Sequence, residues 1–179
     1  ITANGSAYAA GDTDDADLLL GPPTSRAIVQ VPRPVEALQH VRVVQVACGP
    51  THTIVLTDGA SALSFGGNEF GELGRPDDAR ALLSSKRLGK MRFEQSNDNA
   101  RSVVRAVAAG RNFSLALTTS GEVFSCGRGS FGALGTGSVD ARSLLTHVAG
   151  LAALPVQSIA AGRDHAIAIT ISGRAFAWG

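Results

Sequence analysis

Short apolar runs bounded by glycine recur along the chain, and the clearest example covers residues 44–74. Val43–Cys48 is one apolar run, and His52–Thr57 is a second with an apolar centre. A third run follows a polar turn at 58–61 and ends at Phe65. Runs of this length between glycine turns are typical of antiparallel strands. Because a sheet this small is marginal alone, the pattern predicts several small sheets that pack against one another.

The same pattern returns at residues 104–135 and again at 156–179, with its glycines in register. A fixed pattern separated by segments of variable length indicates a repeat architecture. We interpret the first glycine of each copy as a tight turn with positive φ, a conformation that glycine adopts without steric cost. The glycines that define the repeat are Gly49, Gly66, Gly71, Gly74, Gly110, Gly121, Gly127, Gly132, Gly135, Gly162, Gly173 and Gly179.

A histidine lies three residues after the opening glycine in two of the three copies, as His52 and His165. The middle copy has Phe113 at that position. A shared metal ligand would not be replaced by phenylalanine, so we interpret these histidines as structural groups that hydrogen-bond the turn backbone.

These motifs closely resemble the repeats of the regulator of chromosome condensation family. The shared pattern is V-x-x-[VI]-A-x-G-x-x-[HF]-x-[IL]-[VA]-[LI]-T, followed by G-x-x-[FL]-x-x-G and G-x-L-G. The resemblance covers two full copies, one truncated copy and the end of an earlier repeat at 4–11. It implies an all-β fold in which each repeat forms a four-stranded blade of a β-propeller, with the outer strand drawn from the variable segment. The family usually has seven blades, so this chain should hold about three of roughly seven.

The repeat spacing suggests a division of residues 1–179 into blades of a partial propeller. Such a division implies that the sequence is an excerpt of a longer protein. The expected parts are 1–31 as the end of a degenerate blade, 32–93 as a blade with repeat core 43–74, 94–148 as a blade with core 103–135, and 149–179 as the start of a truncated blade, with 75–101 as a long variable insertion.

Composition excludes several classes of function. The net charge is +1 and only 17% of residues are charged, which gives no basic excess for nucleic-acid binding. The sequence has no apolar run as long as a membrane span and no signal peptide, which suggests an intracellular protein of the nucleus or cytoplasm. In such a compartment we expect Cys48 and Cys126 to be reduced, although a disulfide is a less favoured alternative.

Two motifs resemble a metal site and a nucleotide-binding site, but neither has all the residues or the context that such a site requires. The acidic run Asp12–Asp17 does not fit a calcium loop, because Ala16, Asp17 and Pro23 occupy positions that require other residues. The G-x-G-x-x-G at 127–132 follows a strand but opens no helix, so it does not predict a dinucleotide site. The sequence therefore predicts no metal, no cofactor and no catalytic constellation.

Loops on a rigid scaffold are the expected sites of partner contact. Equivalent turns should emerge on one propeller face, which makes their polar residues candidates for partner contact. Basic residues in the insertion are a second candidate group. The candidates are Arg111, Asn112, Arg163 and Asp164 in the opening turns, and Lys86, Arg87, Lys90 and Arg92 in the insertion, with solvated surface as the alternative interpretation of both groups.

The favoured functional hypothesis is a non-catalytic scaffold that binds other proteins. The family resemblance also implies an alternative, a guanine-nucleotide exchange factor for a small Ran-like GTPase. A second alternative is a regulatory or substrate-binding domain attached to an enzyme such as a ubiquitin ligase. The remaining blades would come from the same chain or a neighbouring one.

Overall fold

The computed structural model describes residues 1–12, 28–76, 88–94 and 103–179, and they are almost entirely β-strands and turns. This confirms the expected all-β fold. Within the described residues, three short 3-10 helices accompany the strands, at Glu36–Leu38, Ser130–Gly132 and Ala149–Leu151. The strands are β1 Tyr8–Asp12, β2 Ile28–Pro34, β3 Val43–Cys48, β4 His52–Thr57, β5 Ala62–Gly66, β6 Gly89–Lys90, β7 Val104–Ala109, β8 Phe113–Thr118, β9 Val123–Gly127, β10 Arg142–His147, β11 Val156–Ala161, β12 Ala166–Thr170 and β13 Ala175–Trp178.

The strands of the described part of the chain form four antiparallel sheets in chain order. The sheets are β1-β2, β3-β4-β5-β6, β7-β8-β9-β10 and β11-β12-β13. Each strand pairs with its neighbour in sequence, so every sheet is a simple meander. The first strand of each of the last three sheets has an irregular register near its start, between Val43 and Gln45, Val104 and Ala106, and Val156 and Ser158. This shared irregularity marks the three copies as one structural unit.

A threonine at the end of the second strand fixes the following hairpin turn. The Oγ1 of Thr118 accepts the backbone N–H of Glu122 at 3.1 Å, and Thr170 accepts that of Arg174 at 3.1 Å. The turn places Gly121 at φ +85° and Gly173 at φ +81°. This is the left-handed region, which glycine enters without the clash of a Cβ. Side-chain acceptors of this kind stabilise turns in place of further strand pairing.

The hydrophobic core lies between the sheets. Ile54 and Leu56 of β4 pack in one buried cluster with Val104 and Ala116 of the next sheet. Leu117 of β8 packs in another cluster, with Val156 and Ala168 of the sheet after that. Because these clusters join neighbouring sheets, the described sheets stabilise one another.

The outer strands differ from the sequence-based expectation in extent. The apolar residues at 27–31 predict an outer strand, and the structure has β2 there. The strand continues through two prolines to Pro34 because proline is tolerated at a sheet edge. The strand β6 lies within the variable segment 75–101 and pairs with β5, so this segment supplies the outer strand of its sheet. The sequence also predicts a short helix at 77–88, with acidic residues at its start and basic residues at its end, and all but its last residue lie outside the described residues. Most of the acidic run Asp12–Asp17 lies outside them as well. Cys48 and Cys126 are free thiols.

Candidate partner-binding face

The opening turns are tight hairpins that have no room for a side chain at their first residue. The N–H of Gly49 donates to the carbonyl of His52 at 2.8 Å, and Gly110 and Phe113 are paired in the same way. A Cβ at Gly49 would lie 2.6 Å from the carbonyl oxygen of Gly110 and 2.6 Å from Cε1 of the His52 ring. The expected positive φ is wrong, because Gly49, Gly110 and Gly162 are not among the left-handed glycines. Close approach, not backbone conformation, requires glycine here.

The structure brings the three opening turns together. The N–H of Arg111 donates to the carbonyl of Arg163 at 3.0 Å, which joins two turns directly. A depression of about 290 Å³ runs between the turns and is lined by residues of all three. The turns meet because each one begins at the end of an inner strand, and the inner strands β3, β7 and β11 are neighbours.

Charged side chains stand at the rim of this depression. The side chain of Arg163 is 72% exposed, and its Nε lies 3.2 Å from Oδ2 of Asp164. Arg111 is exposed. Asn112 has a partly structural role, because its carbonyl accepts the N–H of Arg128 at 2.8 Å. We refer to Arg111, Arg163 and Asp164 as the turn cluster.

The glycine-rich loops 66–74 and 127–135 leave the same end of their sheets as the opening turns, because first-to-second and third-to-fourth strand connections share one end of a meander. The guanidinium carbon of Arg128 lies 5.1 Å from the ring centre of Phe70 on the preceding loop. Phe131 occupies the position equivalent to Phe70, is 73% exposed and has φ +62°. The turn cluster therefore shares its face with loops that carry aromatic side chains.

A buried polar chain joins the sheets beneath this face. Nε2 of His52 lies 3.0 Å from Oγ of Ser114 in the next sheet, and that hydroxyl donates to the carbonyl of Glu72 at 2.6 Å. The thiol of Cys126 also points to this carbonyl, at 3.6 Å. The expectation that His52 bonds the turn backbone is thus replaced by a bond across the seam between sheets. Burial lowers the pKa of His52 to about 4, so the ring is neutral near pH 7.

The corresponding groups in the next seam are different. Phe113 fills the position of His52 and is equally buried, whereas His165 is exposed. The indole Nε1 of Trp178 donates to the carbonyl of Ala133 at 3.0 Å. This carbonyl is the repeat equivalent of the Glu72 carbonyl that Cys126 approaches. In both interfaces between sheets, a side chain of one sheet therefore contacts the backbone carbonyl at the same repeat position of the preceding loop.

The two basic candidates of the insertion that the structure describes, Lys90 and Arg92, lie apart from the turn cluster. Lys90 lies on β6, the strand farthest from β3 in the sheet, and Arg92 follows it. Both are exposed. Lys86 and Arg87 lie outside the described residues. The structure thus separates Lys90 from the inner-strand turns to which Arg111 belongs.

Two polar residues that sequence reasoning missed bridge neighbouring inner strands. The amide of Gln45 donates to the carbonyl of Val107 at 2.9 Å and accepts the N–H of Val107 at 3.0 Å. Nη2 of Arg105 donates to the carbonyls of Val156 and Gln157 at 2.8 and 2.6 Å. The available signal in the sequence was a polar residue, Gln45 or Arg105, within an otherwise apolar strand.

None of the helices in the described part of the chain has the length and apolar character needed to span a bilayer. Within the same residues, no group of three or more histidine, cysteine, aspartate or glutamate side chains has a geometry that would hold a metal ion.

The small radial sheets, joined through shared cores and repeated turns, define part of a β-propeller. Two models described as "Regulator of chromosome condensation (RCC1) repeat" match the chain, one at residues 43–72 and 104–133 and the other at 4–56 and 120–169. The chain belongs to this repeat family.

Relatives show how much of a longer protein the repeats represent. The chain is 37% identical over 147 residues to the human RCC1-like G exchanging factor-like protein, covering 82% of this chain and 31% of the relative. It is 33% identical over 158 residues to the human probable E3 ubiquitin-protein ligase HERC4, covering 87% of this chain and 14% of the relative. The crystal structure of human WBSCR16 superposes with a TM-score of 0.81 at 34% identity and covers 96% of this chain and 43% of that chain. The chain thus spans less than half the length of each.

Proposed function

We propose that this propeller segment is a non-catalytic scaffold that binds other proteins through the face that carries the opening turns. The convergence of three turns from three sheets is the observation that supports this proposal most directly. The turns are fixed by buried sheets and present the turn cluster to solvent. Binding residues held on a rigid framework lose little entropy on association. An intracellular location, nuclear or cytoplasmic, remains a prediction.

Charge reversal in the turn cluster tests the scaffold proposal. We expect the double variant Arg111→Glu with Arg163→Glu to lose the proteins that the full-length parent retains from its own cell extract. The control is Arg33→Glu, which places the same change on the exposed surface of β2. Bound proteins would be compared by quantitative mass spectrometry. Equal retention by the cluster variant and the control would contradict the proposal.

Guanine-nucleotide exchange is the second candidate function. It is favoured by the 37% identity to a relative whose name includes a G exchanging factor. An exchange factor binds a nucleotide-free GTPase, so its partner would be retained in EDTA and released by magnesium with GTP. A scaffold would retain its partners under both conditions. A similar comparison with HERC4 supports, as a third candidate, a recognition domain attached to a ligase.

A further inference from the structure

The depression between the three opening turns is lined mostly by small residues. It has a volume of about 290 Å³. Glycine and alanine form most of its lining, at Gly49, Ala109, Gly110, Ala161 and Gly162. Because these residues have no long side chains, the space between the turns stays open, and a side chain of another protein has room to enter it. We refer to this space as the turn depression.

Two arginines supply the charge of the turn depression. Arg111 and Arg163 occupy the same repeat position, directly after the opening glycines, and both line the depression. The backbone hydrogen bond of 3.0 Å between them holds their turns side by side. Both residues are exposed. Like charges on adjacent turns repel each other, so an anion bound between them is stabilised by both.

The neighbouring aspartate compensates only one of these arginines. Oδ2 of Asp164 lies 3.2 Å from Nε of Arg163. Among the residues that the structure describes, Arg111 has no ion-pair partner. The turn cluster, with two arginines and one aspartate, therefore presents one uncompensated positive charge to solvent.

We propose that the turn depression receives a carboxylate, the side chain of an aspartate or glutamate of a partner protein. This inference rests on the proposed scaffold function and names the chemistry of the partner. Guanidinium groups bind carboxylates through short, charge-assisted hydrogen bonds. A carboxylate also carries the single negative charge that the turn cluster lacks. The second charge of a phosphate group would lie uncompensated beside Asp164, which favours a carboxylate over a phosphorylated residue.

The first copy of the repeat offers a way to increase the charge of the site. Pro50 is exposed and occupies, in its own turn, the position that Arg111 and Arg163 occupy in theirs. Proline has no backbone N–H, so Pro50→Arg removes no hydrogen-bond donor. The substitution adds a third guanidinium group to the lining of the turn depression.

The test is a nuclear magnetic resonance titration of the full-length parent labelled only with ¹⁵N-arginine. The probe is N-acetyl-glutamate-N-methylamide, and the matched control is its glutamine analogue, which has nearly the same shape without the charge. Ionic strength is kept constant, because salt screens exposed charges. We expect the glutamate probe alone to shift the signals of Arg111 and Arg163. The signal of Arg33, which is exposed on β2, should stay in place in the same spectra.

Variants that lose and gain affinity separate charge recognition from loss of folding. Arg111→Gln should weaken binding of the glutamate probe by about tenfold, measured from the Arg163 signal. Pro50→Arg should tighten binding severalfold. Asp164→Asn removes the competing carboxylate and should also tighten it. Arg33→Gln, the matched control, should leave the affinity unchanged.

Three results would overturn the inference. These are equal shifts with the glutamate and glutamine probes, no shift with either at tens of millimolar, and tighter binding of the phosphoserine analogue than of the glutamate probe by the unaltered protein. If charge reversal in the turn cluster abolishes partner retention while the glutamate probe does not bind, the scaffold proposal stands and the carboxylate proposal fails. If the probe binds but charge reversal leaves partner retention unchanged, the scaffold proposal fails.

Discussion

At the scale of single residues, the interfaces between neighbouring sheets restrict which side chains the fold can accommodate. His52 is 1% exposed and bonds Ser114 across the seam, beside the backbone of Glu72 and the thiol of Cys126. Burial raises the pKa of the Cys126 thiol, so that group stays protonated. A neutral imidazole suits this position because no water is available to solvate a charge.

Protonation of His52 should destabilise the fold. Its pKa falls from the ordinary value of 6.5 to about 4 on folding, so the folded state disfavours the proton. The stabilising contribution is complete above pH 6.5 and is lost as the pH falls toward 4. We expect the free energy of unfolding to decrease by roughly 2 to 3 kcal/mol from this group between pH 7.5 and 4.5.

The variant His52→Phe provides the comparison, because Phe113 already fills the equivalent position in the next copy. Urea unfolding at several pH values would be measured for both chains. All other titrating groups are shared, so the difference between the two pH profiles reports His52. Parallel profiles would show that His52 does not carry this pH dependence.

Gly49 should tolerate no larger residue. In Gly49→Ala the new methyl group would overlap the carbonyl of Gly110 and the His52 ring, which we expect to cost about 1 to 3 kcal/mol. Gly59→Ala is the control, because Gly59 also avoids the left-handed region and its nearest neighbour is 3.7 Å away. Urea unfolding should show at most a small change for Gly59→Ala. Similar losses in both variants would argue against close approach as the reason for Gly49.

At the scale of elements, the hairpin turn between the second and third strands is the most regular unit. Gly5, Gly121 and Gly173 occupy its left-handed position, whereas the copy that contains β4 and β5 has Ala60 at φ +56°. The N–H of Ala60 donates to the carbonyl of Thr57 at 2.9 Å, as Gly121 does to Thr118 at 3.0 Å. The turn geometry is therefore kept at the cost of backbone strain in one copy.

Ala60→Gly should relieve this strain. A non-glycine residue in the left-handed region costs roughly 1 to 2 kcal/mol, and the entropy of glycine offsets part of the gain. We expect a net stabilisation of about 0.5 to 1 kcal/mol by thermal or urea unfolding. The control is Ala152→Gly, because the φ of Ala152 is −55°, in the ordinary helical region, and there we expect a loss of stability. Destabilisation by Ala60→Gly would contradict the strain assignment.

At the scale of the whole molecule, stability should be shared because the apolar clusters lie between sheets. Ile54 is fully buried in the cluster that joins the second and third sheets. Trp178, the only tryptophan, packs in the clusters that join the third and fourth. A sheet that unfolded alone would expose the apolar side chains of its neighbour, so neighbouring sheets should unfold together.

Ile54→Ala tests this coupling. We expect a loss of about 2 to 5 kcal/mol from the buried cavity that it creates. The midpoints measured by Trp178 fluorescence and by far-ultraviolet circular dichroism should fall together. The control is Val139→Ala, an exposed position whose change should leave both midpoints in place. A fluorescence midpoint that stays fixed while the circular dichroism midpoint falls would show that the sheets unfold independently.

The sequence by itself determined the strands, the hairpin turns and the membership of a propeller repeat family. These features follow from local rules, because strand periodicity and glycine turns depend on residues close in the chain. The tertiary structure determined the close contacts that require glycine at Gly49, the hydrogen-bond partner of His52, and the hydrogen bonds between Gln45 and Val107. It also brought the opening turns of three sheets together around one depression. Those contacts join residues far apart in sequence, and only the packing of one sheet on the next brings them within reach.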